Sequence, residues 1–301
     1  MHLLYFGLPL GALLLAQDGH TFAQAIMGRA EGNGLRRLRR LLGDRVSVLP
    51  ARTAVERAVL AHGTPDLVVS WFFPKKLPPA VLGLGRLGTV GVHPSLLPRH
   101  RGADPYFASI EAGDETTGVT AHRLDTEYDT GHVLDAETLR IGPDWNAWLL
   151  ARQLDRPSLR VLRRVVNAIG AGTATERAQD ESAATQAPEP TEAELELDVA
   201  TMSPERAQRR IRAAAPWPGA FFFAGDTPVV VERARIAVGA SALGPGDLAA
   251  HAGSVWLGLR GGALVLERVR VDAGASSGDD EDAVLEGDAL WEWALTLTSR
   301  A

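Results

Sequence analysis

A histidine and a carboxylate that meet at a cleft can move protons, and this chain holds such a pair in a distinctive setting. His93 closes an apolar run, 89–93, and is followed by Pro94-Ser95-Leu96-Leu97-Pro98, then Arg101-Gly102. Asp129 opens the turn Asp129-Thr130-Gly131, which leads into the next apolar run. A carboxylate beside an imidazole favours its charged form, and an imidazolium can stabilise an oxygen that gains negative charge. His122, at the end of Gly118-Val119-Thr120-Ala121-His122, is a second imidazole able to join them. Spacing alone is a weak signal. The chain has eight histidines, and a polar strand end tied to a loop is the plainer reading of any one pair.

These residues need elements to hold them. The first half alternates short apolar runs with helical patterns, the sequence form of a Rossmann-like, mostly parallel α/β sheet. Strands are expected over 3–6, 22–27, 46–49, 67–71 and 89–93, with helices over 9–17 and 54–61. Leu35, Leu38, Leu41 and Leu42 share one helical face, with Arg36, Arg37 and Arg40 turned to solvent. His93 then ends a central strand, where open α/β sheets place their ligands. Beyond it a helix is expected over 105–112 and strands over 118–124 and 133–139. Asp144 reads as the N-cap of a helix starting at Trp145, which Pro157 must kink or restart.

Residues 1–175 therefore form one domain, 176–200 a linker rich in Ala, Thr, Gln, Glu and Pro, and 201–301 a second domain. Ser203-Pro204-Glu205 starts a helix with cap, first-turn proline and acid in place. Runs over 220–223, 229–236, 254–259 and 263–271 read as antiparallel strands of a small β-barrel, OB-like in size. The acidic stretch 278–288 reads as a loop. Trp145, Trp148 and Trp217 read as packing aromatics.

Composition excludes several classes. With 46% apolar and 23% charged residues the chain suits a soluble two-domain protein. A net charge of −6 leaves no basic footprint for nucleic acid, and residues 201–301 hold 10 Arg and 13 acids, a net of −3. There is no cysteine, hence no disulfide framework or thiolate, as suits the cytoplasm. The opening MHLLYFGLPLGALLL imitates a signal peptide, but no Lys or Arg precedes it and Gly7-Leu8-Pro9 interrupts it, so a buried strand and turn is expected. No apolar run approaches the ~20 residues of a membrane span.

Taken together, Gly91-Val92-His93-Pro94-Ser95-Leu96-Leu97-Pro98, Arg101-Gly102, Gly118-Val119-Thr120-Ala121-His122 and Asp129-Thr130-Gly131 resemble the signature of the folate-dependent formyltransferases. The two-domain, methionyl-tRNA formyltransferase-like members are the nearest in layout. Phe6-Gly7-Leu8-Pro9 and Pro216-Trp217-Pro218-Gly219 are similar to their first turn and second-domain entry. The resemblance implies 10-formyltetrahydrofolate as co-substrate and an amine as acceptor. It implies His93 as oxyanion stabiliser and proton donor, and Asp129 as its charge partner and proton relay. Ser95 and His122 fall in the oxyanion neighbourhood, and Lys75, Lys76, Leu77, Leu97 and Tyr128 border the pterin slot. A metal formed by His93, His122, His132 and Asp129 is not expected, since the signature accounts for the strand-end histidines without one.

One position departs from the pattern. Gly91 stands where the family carries an Asn, and the only Asn residues, Asn33, Asn146 and Asn167, are far from the motif in sequence. Loss of one oxyanion donor costs about 2.7–4 kcal/mol, which weakens catalysis without having to abolish it. Ser95, His122, Tyr106, Tyr128, Lys75 or a water beside Gly91 are the substitutes available. The expected acceptor is a small amine, an amino sugar or an amino-acid-derived metabolite. Transfer to methionyl-tRNA is the runner-up, and a binding protein with a degenerate site is the third reading.

Overall fold

The computed structural model describes residues 1–29, 33–48, 61–238, 243–251, 253–271 and 282–298. Two compact units divide the chain: Met1–Pro105, Thr116–Arg140 and Arg152–Pro188 form the first, and Tyr106–Glu115, Ile141–Ala151 and Glu189–Ala301 the second.

The first unit is built on a seven-stranded sheet in the order β3-β2-β1-β4-β5-β6-β7. Its strands are β1 (His2–Gly7), β2 (Thr21–Met27), β3 (Val46–Val48), β4 (Leu67–Trp71), β5 (Thr89–His93), β6 (Thr116–Arg123) and β7 (Val133–Arg140). Pairing is parallel from β3 through β5, and β6 and β7 are added antiparallel. The fold is thus mixed α/β with a mostly parallel, Rossmann-like sheet. Strand order reverses between β1 and β4, and the apolar runs predicted for buried parallel strands are buried almost end to end.

Helix α1 (Pro9–Gln17) follows the first strand, so the apolar opening of the chain is a sheet strand and its helix, as the Gly7-Leu8-Pro9 turn implied. Gly7 is required there: at φ 148°, a Cβ on it would lie 1.9 Å from the Trp71 carbonyl oxygen. In α2 (Leu35–Leu42) Leu35 and Leu38 are buried and Leu41 is exposed. The helix expected over 54–61 falls almost entirely outside the described residues. A short α3 (Pro79–Leu82) precedes β5, and α4 (Pro105–Glu111) follows it.

The long helix corrects two expectations. It runs as α5 (Ala147–Gly170) without a break at Pro157, and Asn146, not Asp144, caps it by accepting the Leu149 N–H at 2.8 Å. Ser158 follows the proline and bonds back to the Asp155 carbonyl at 2.7 Å. Its buried hydroxyl also accepts the Trp71 indole N–H at 3.0 Å, tying the helix to β4. Residues 176–188, read as part of a linker, are held along the first unit by paired backbone bonds between Val133 and Arg177 and between Arg101 and its neighbours Thr185 and Ala187. Polar composition without periodicity concealed this, because the segment is held by backbone bonds rather than by an apolar face.

The second unit carries α6 (Glu192–Leu195) and α7 (Pro204–Ala214), the latter capped by Ser203 as expected. Its strands are β8 (Ala220–Ala224), β9 (Thr227–Ile236), β10 (Leu248–His251), β11 (Ser254–Leu259), β12 (Gly262–Val271) and β13 (Ala283–Glu286), followed by α8 (Gly287–Thr298). They form an antiparallel sheet in the order β10-β11-β12-β9-β8, with β13 also on β12. Among the described residues this path does not close on itself, so the sheet is open where a barrel was expected. Residues 283–298, partly read as an acidic loop, are strand and helix, because Leu290 and Ala294 give the helix a buried face. Trp148 and Trp217 are exposed rather than packed inside. No helix among the described residues is long and apolar enough to cross a membrane.

Replacing Ser158 by Ala leaves the buried Trp71 N–H without its acceptor. We expect the free energy of unfolding to fall by ~1–3 kcal/mol, measured by chemical denaturation.

Candidate active site

His93 is the last residue of β5, and β6 runs antiparallel beside it with Gly91 opposite His122 and His93 opposite Thr120. Side chains alternate between the faces of a sheet, so Gly91, His93, Thr120 and His122 share one face. Thr120 pins the loop after His93: its hydroxyl donates to the Ser95 carbonyl at 2.7 Å and accepts the Leu97 N–H at 3.1 Å. The two imidazoles lie 6.5 Å apart, centre to centre, and nearly perpendicular. Asp129 reaches between them from the loop joining β6 to β7. One of its oxygens lies 3.4 Å from His93 Nδ1 and the other 3.5 Å from His122 Nε2.

The hydrogen-bond partners place the protons. His93 Nε2 lies 2.8 Å from the His100 carbonyl, and His122 Nδ1 lies 2.8 Å from the Arg123 carbonyl. A carbonyl only accepts, so both of these nitrogens carry hydrogen. The nitrogens left over both face Asp129. Burial pushes the His122 imidazole down to about 4, against the pull of Asp129 and with the push of His93. At neutral pH His122 is therefore uncharged and turns a lone pair toward the carboxylate. The remaining proton position lies between His93 Nδ1 and Asp129, which is where a proton relay would operate.

Asp129 is held in place from several directions. Its backbone is in the left-handed region at φ 58°, and its carboxylate accepts the Gly102 N–H at 2.9 Å. Gly102 and Gly131 are needed as glycines, since a Cβ would lie 2.7 Å from the Ala187 carbonyl oxygen and 2.0 Å from that of Arg123, respectively. Phe72 and His100 also have positive φ, and with Asp129 they are the non-glycine residues of this kind among the described residues. Two of the three thus contact the His93 ring, as strain concentrated at a working site would.

Residues 49–166 match the Formyl transferase family and residues 191–278 its Formyl transferase, C-terminal domain. A methionyl-tRNA formyltransferase of Halorhodospira halophila is 37% identical over 227 residues, covering 75% of this chain and 73% of that protein. The chain belongs to the formyl transferase family. HypX from Aquifex aeolicus, solved in complex with tetrahydrofolic acid, superposes with a TM-score of 0.68 at 18% identity over 97% of this chain. The chain spans 47% of HypX, about half its length. WlaRD, a sugar 3N-formyl transferase solved in the presence of dTDP and 5-N-formyl-THF, superposes with a TM-score of 0.64 at 13% identity, over 88% of this chain and 96% of that one.

Against that family pattern, the structure gathers His93, His122 and Asp129 and sets the other candidates around them or apart. Ser95 is buried and donates to the Arg99 carbonyl at 2.6 Å, so its hydroxyl serves the loop. Leu77 belongs to the core cluster of Leu4, Phe6, Ile26, Val68 and Val81, and Leu97 is buried. Lys75 is exposed, whereas the Lys76 ammonium sits 4.3 Å above the exposed Tyr128 ring and links its loop to that of Asp129. His132 is exposed and meets Glu176, 3.6 Å away. Tyr106 lies in the second unit.

Sequence reasoning missed Leu124. A Cβ on Gly91 would lie 2.8 Å from Leu124 Cδ2 and 3.2 Å from its Cγ and Cδ1. Leu124 follows two residues after His122 on the same face, and its N–H bonds the Thr89 carbonyl at 3.0 Å. An apolar side chain therefore fills the space beside Gly91, the position at which the sequence resemblance implied a carboxamide. The signal was present as a large residue two positions beyond a histidine, opposite a strand whose glycine leaves room.

Two outcomes follow. Gly91→Asn must displace Leu124 and should destabilise the fold by ~1–3 kcal/mol, while adding Leu124→Ala should recover most of that loss. Simple additivity in denaturation of the singles and the double would mean the two residues do not share space. For His122, the folded value lies below the unfolded one near 6.5, so the unfolded state binds the proton first. Stability should fall as pH drops from about 6.5 to about 4, and His122→Gln should flatten that slope in a pH series of unfolding curves.

Proposed function

We propose that this protein transfers a formyl group from 10-formyltetrahydrofolate to the amine of a small acceptor, an amino sugar or an amino-acid-derived metabolite. The observation that carries this reading is the carboxylate of Asp129 seated between His93 and His122 in a chain of the formyl transferase family. The donor supplies a formyl carbonyl attached to a nitrogen leaving group. The residues present fit it. Phe73, Leu82, Leu84 and Leu124 are only partly buried where they pack on the Leu77 cluster, leaving an apolar edge suited to a flat ring. Lys75 and Lys76, the only lysines, stand on the segment between them and complement a carboxylate-bearing tail.

In this reading His93 exchanges the His100 carbonyl for the carbonyl oxygen under attack and stabilises its developing charge. Asp129 orients the His93 ring through Nδ1, accepts the proton that the attacking amine loses and passes that proton to the departing nitrogen as its bond to the formyl carbon breaks. His122 stays neutral and lines one side of the space that holds the carboxylate. Leu124 takes the place of a second donor side chain, so the oxyanion relies on His93. Cysteine-free composition suits action in the cytoplasm.

The acidic balance of residues 201–301 favours a small acceptor over a polyanion. Transfer to methionyl-tRNA is the second reading, favoured by the 37% identity to a methionyl-tRNA formyltransferase. Incubation with 10-formyltetrahydrofolate and a panel of amino sugars or charged initiator tRNA separates the two. Formylation of the tRNA at ordinary enzyme concentrations would overturn the small-acceptor reading.

His93→Ala should lower kcat by ~10²–10³-fold while calorimetric affinity for a non-reactive formylfolate analogue changes by less than ~threefold. Equal losses in both would remove His93 from the chemistry.

A further inference from the structure

We propose that Gln179, clamped by the buried Arg101, is the positioning residue that sets the Asp129 carboxylate between the two imidazoles. The proposal rests on the formyl-transfer reading of the site only for its kinetic consequence. Gln179 lies in the polar stretch that has no periodicity, and neither its type nor its surroundings in sequence mark it out.

Its side-chain amide uses every hydrogen-bonding position it has. Nε2 donates to the Asp129 carbonyl and to the Gly131 carbonyl, each at 2.7 Å. Oε1 accepts from Arg101 Nε at 3.1 Å and Arg101 Nη2 at 2.7 Å. Two N–H groups and two lone pairs are the full capacity of a carboxamide, and its orientation is fixed, because a flip would set oxygen against both carbonyls. The turn carrying Asp129 is thus gripped at residues 129 and 131 by a single planar group.

Arg101 holds that group in turn. It is 3% exposed, and beyond Gln179 it makes two bonds of 2.8 Å to the carboxylate of Glu181. Its backbone N–H donates to the Thr185 carbonyl at 2.9 Å, and its carbonyl accepts the Ala187 N–H at 2.6 Å. The next residue, Gly102, donates its own N–H to Asp129 Oδ2. One dipeptide, Arg101-Gly102, therefore holds Asp129 at both ends, the carboxylate directly and the backbone through Gln179. A residue in the left-handed region needs such support, since the unrestrained turn would relax to negative φ and swing the carboxylate away from the rings.

Gln179→Glu is the sharpest test, because a carboxylate keeps the pairing with Arg101 while losing both N–H donors. We expect kcat to fall by ~10–100-fold with both KM values within ~threefold, the loss that a displacement of about 1 Å in a reacting group brings. The nitrogen NMR signals of the His93 and His122 rings should move in protein that circular dichroism shows to be folded at the assay temperature. Gln179→Ala should move the same signals. Unchanged ring signals and kcat in folded Gln179→Glu would overturn the proposal. So would variants that lose activity only in proportion to lost folded protein, with parent ring signals in the folded fraction. Parent protein that transfers no formyl group, with ring signals still moved by Gln179→Glu, would overturn the formyl-transfer reading and uphold the clamp.

Discussion

The site depends on keeping one carboxylate between two imidazoles that a sheet presents on the same face. Antiparallel pairing of β5 with β6 sets Gly91 opposite His122, and the alternation of the pleat then aligns His93 with it. The Asp129 carboxylate stands between the two buried rings, one oxygen toward each. It comes from the loop between β6 and β7. The local backbone accordingly adopts positive φ, with glycines at 102 and 131 where backbone segments approach too closely for a side chain.

That arrangement divides the labour between similar groups. His122 is buried, neutral and committed by its Nδ1–H to the Arg123 carbonyl. His93 is bonded to the carbonyl of His100, a residue itself in the left-handed region. Two imidazoles of the same intrinsic chemistry thus sit in different surroundings, one donating to a strand carbonyl and the other to the carbonyl of a loop residue with positive φ.

The pairing of Gly91 with Leu124 alters the same face. Leu124 belongs to the partly buried rim of the Leu77 cluster, so the apolar core of the first unit extends up to the position beside His93. Beside Gly91 the face is therefore apolar, and the polar groups gathered on it are those of His93, His122 and Asp129.

Much of the fold was legible in the order of residues. The strands at 67–71, 89–93 and 254–259 and the helix at 9–17 coincide with their expected bounds, since continuous apolar runs and proline or serine starts are local signals. The pairing of His93 with Asp129 was legible too, through the motif around them. Gln179, the Asn146 cap and the space shared by Gly91 and Leu124 were not. Each depends on which segments lie side by side, and a polar residue in a non-periodic stretch looks the same whether it meets water or a buried arginine. The sequence by itself determined the layers, the strand directions and the chemical groups offered to the cleft. Only the tertiary structure decided how those groups are oriented, because hydrogen-bond partners far apart in the chain, and the volume left by a missing side chain, exist only after the sheet has formed.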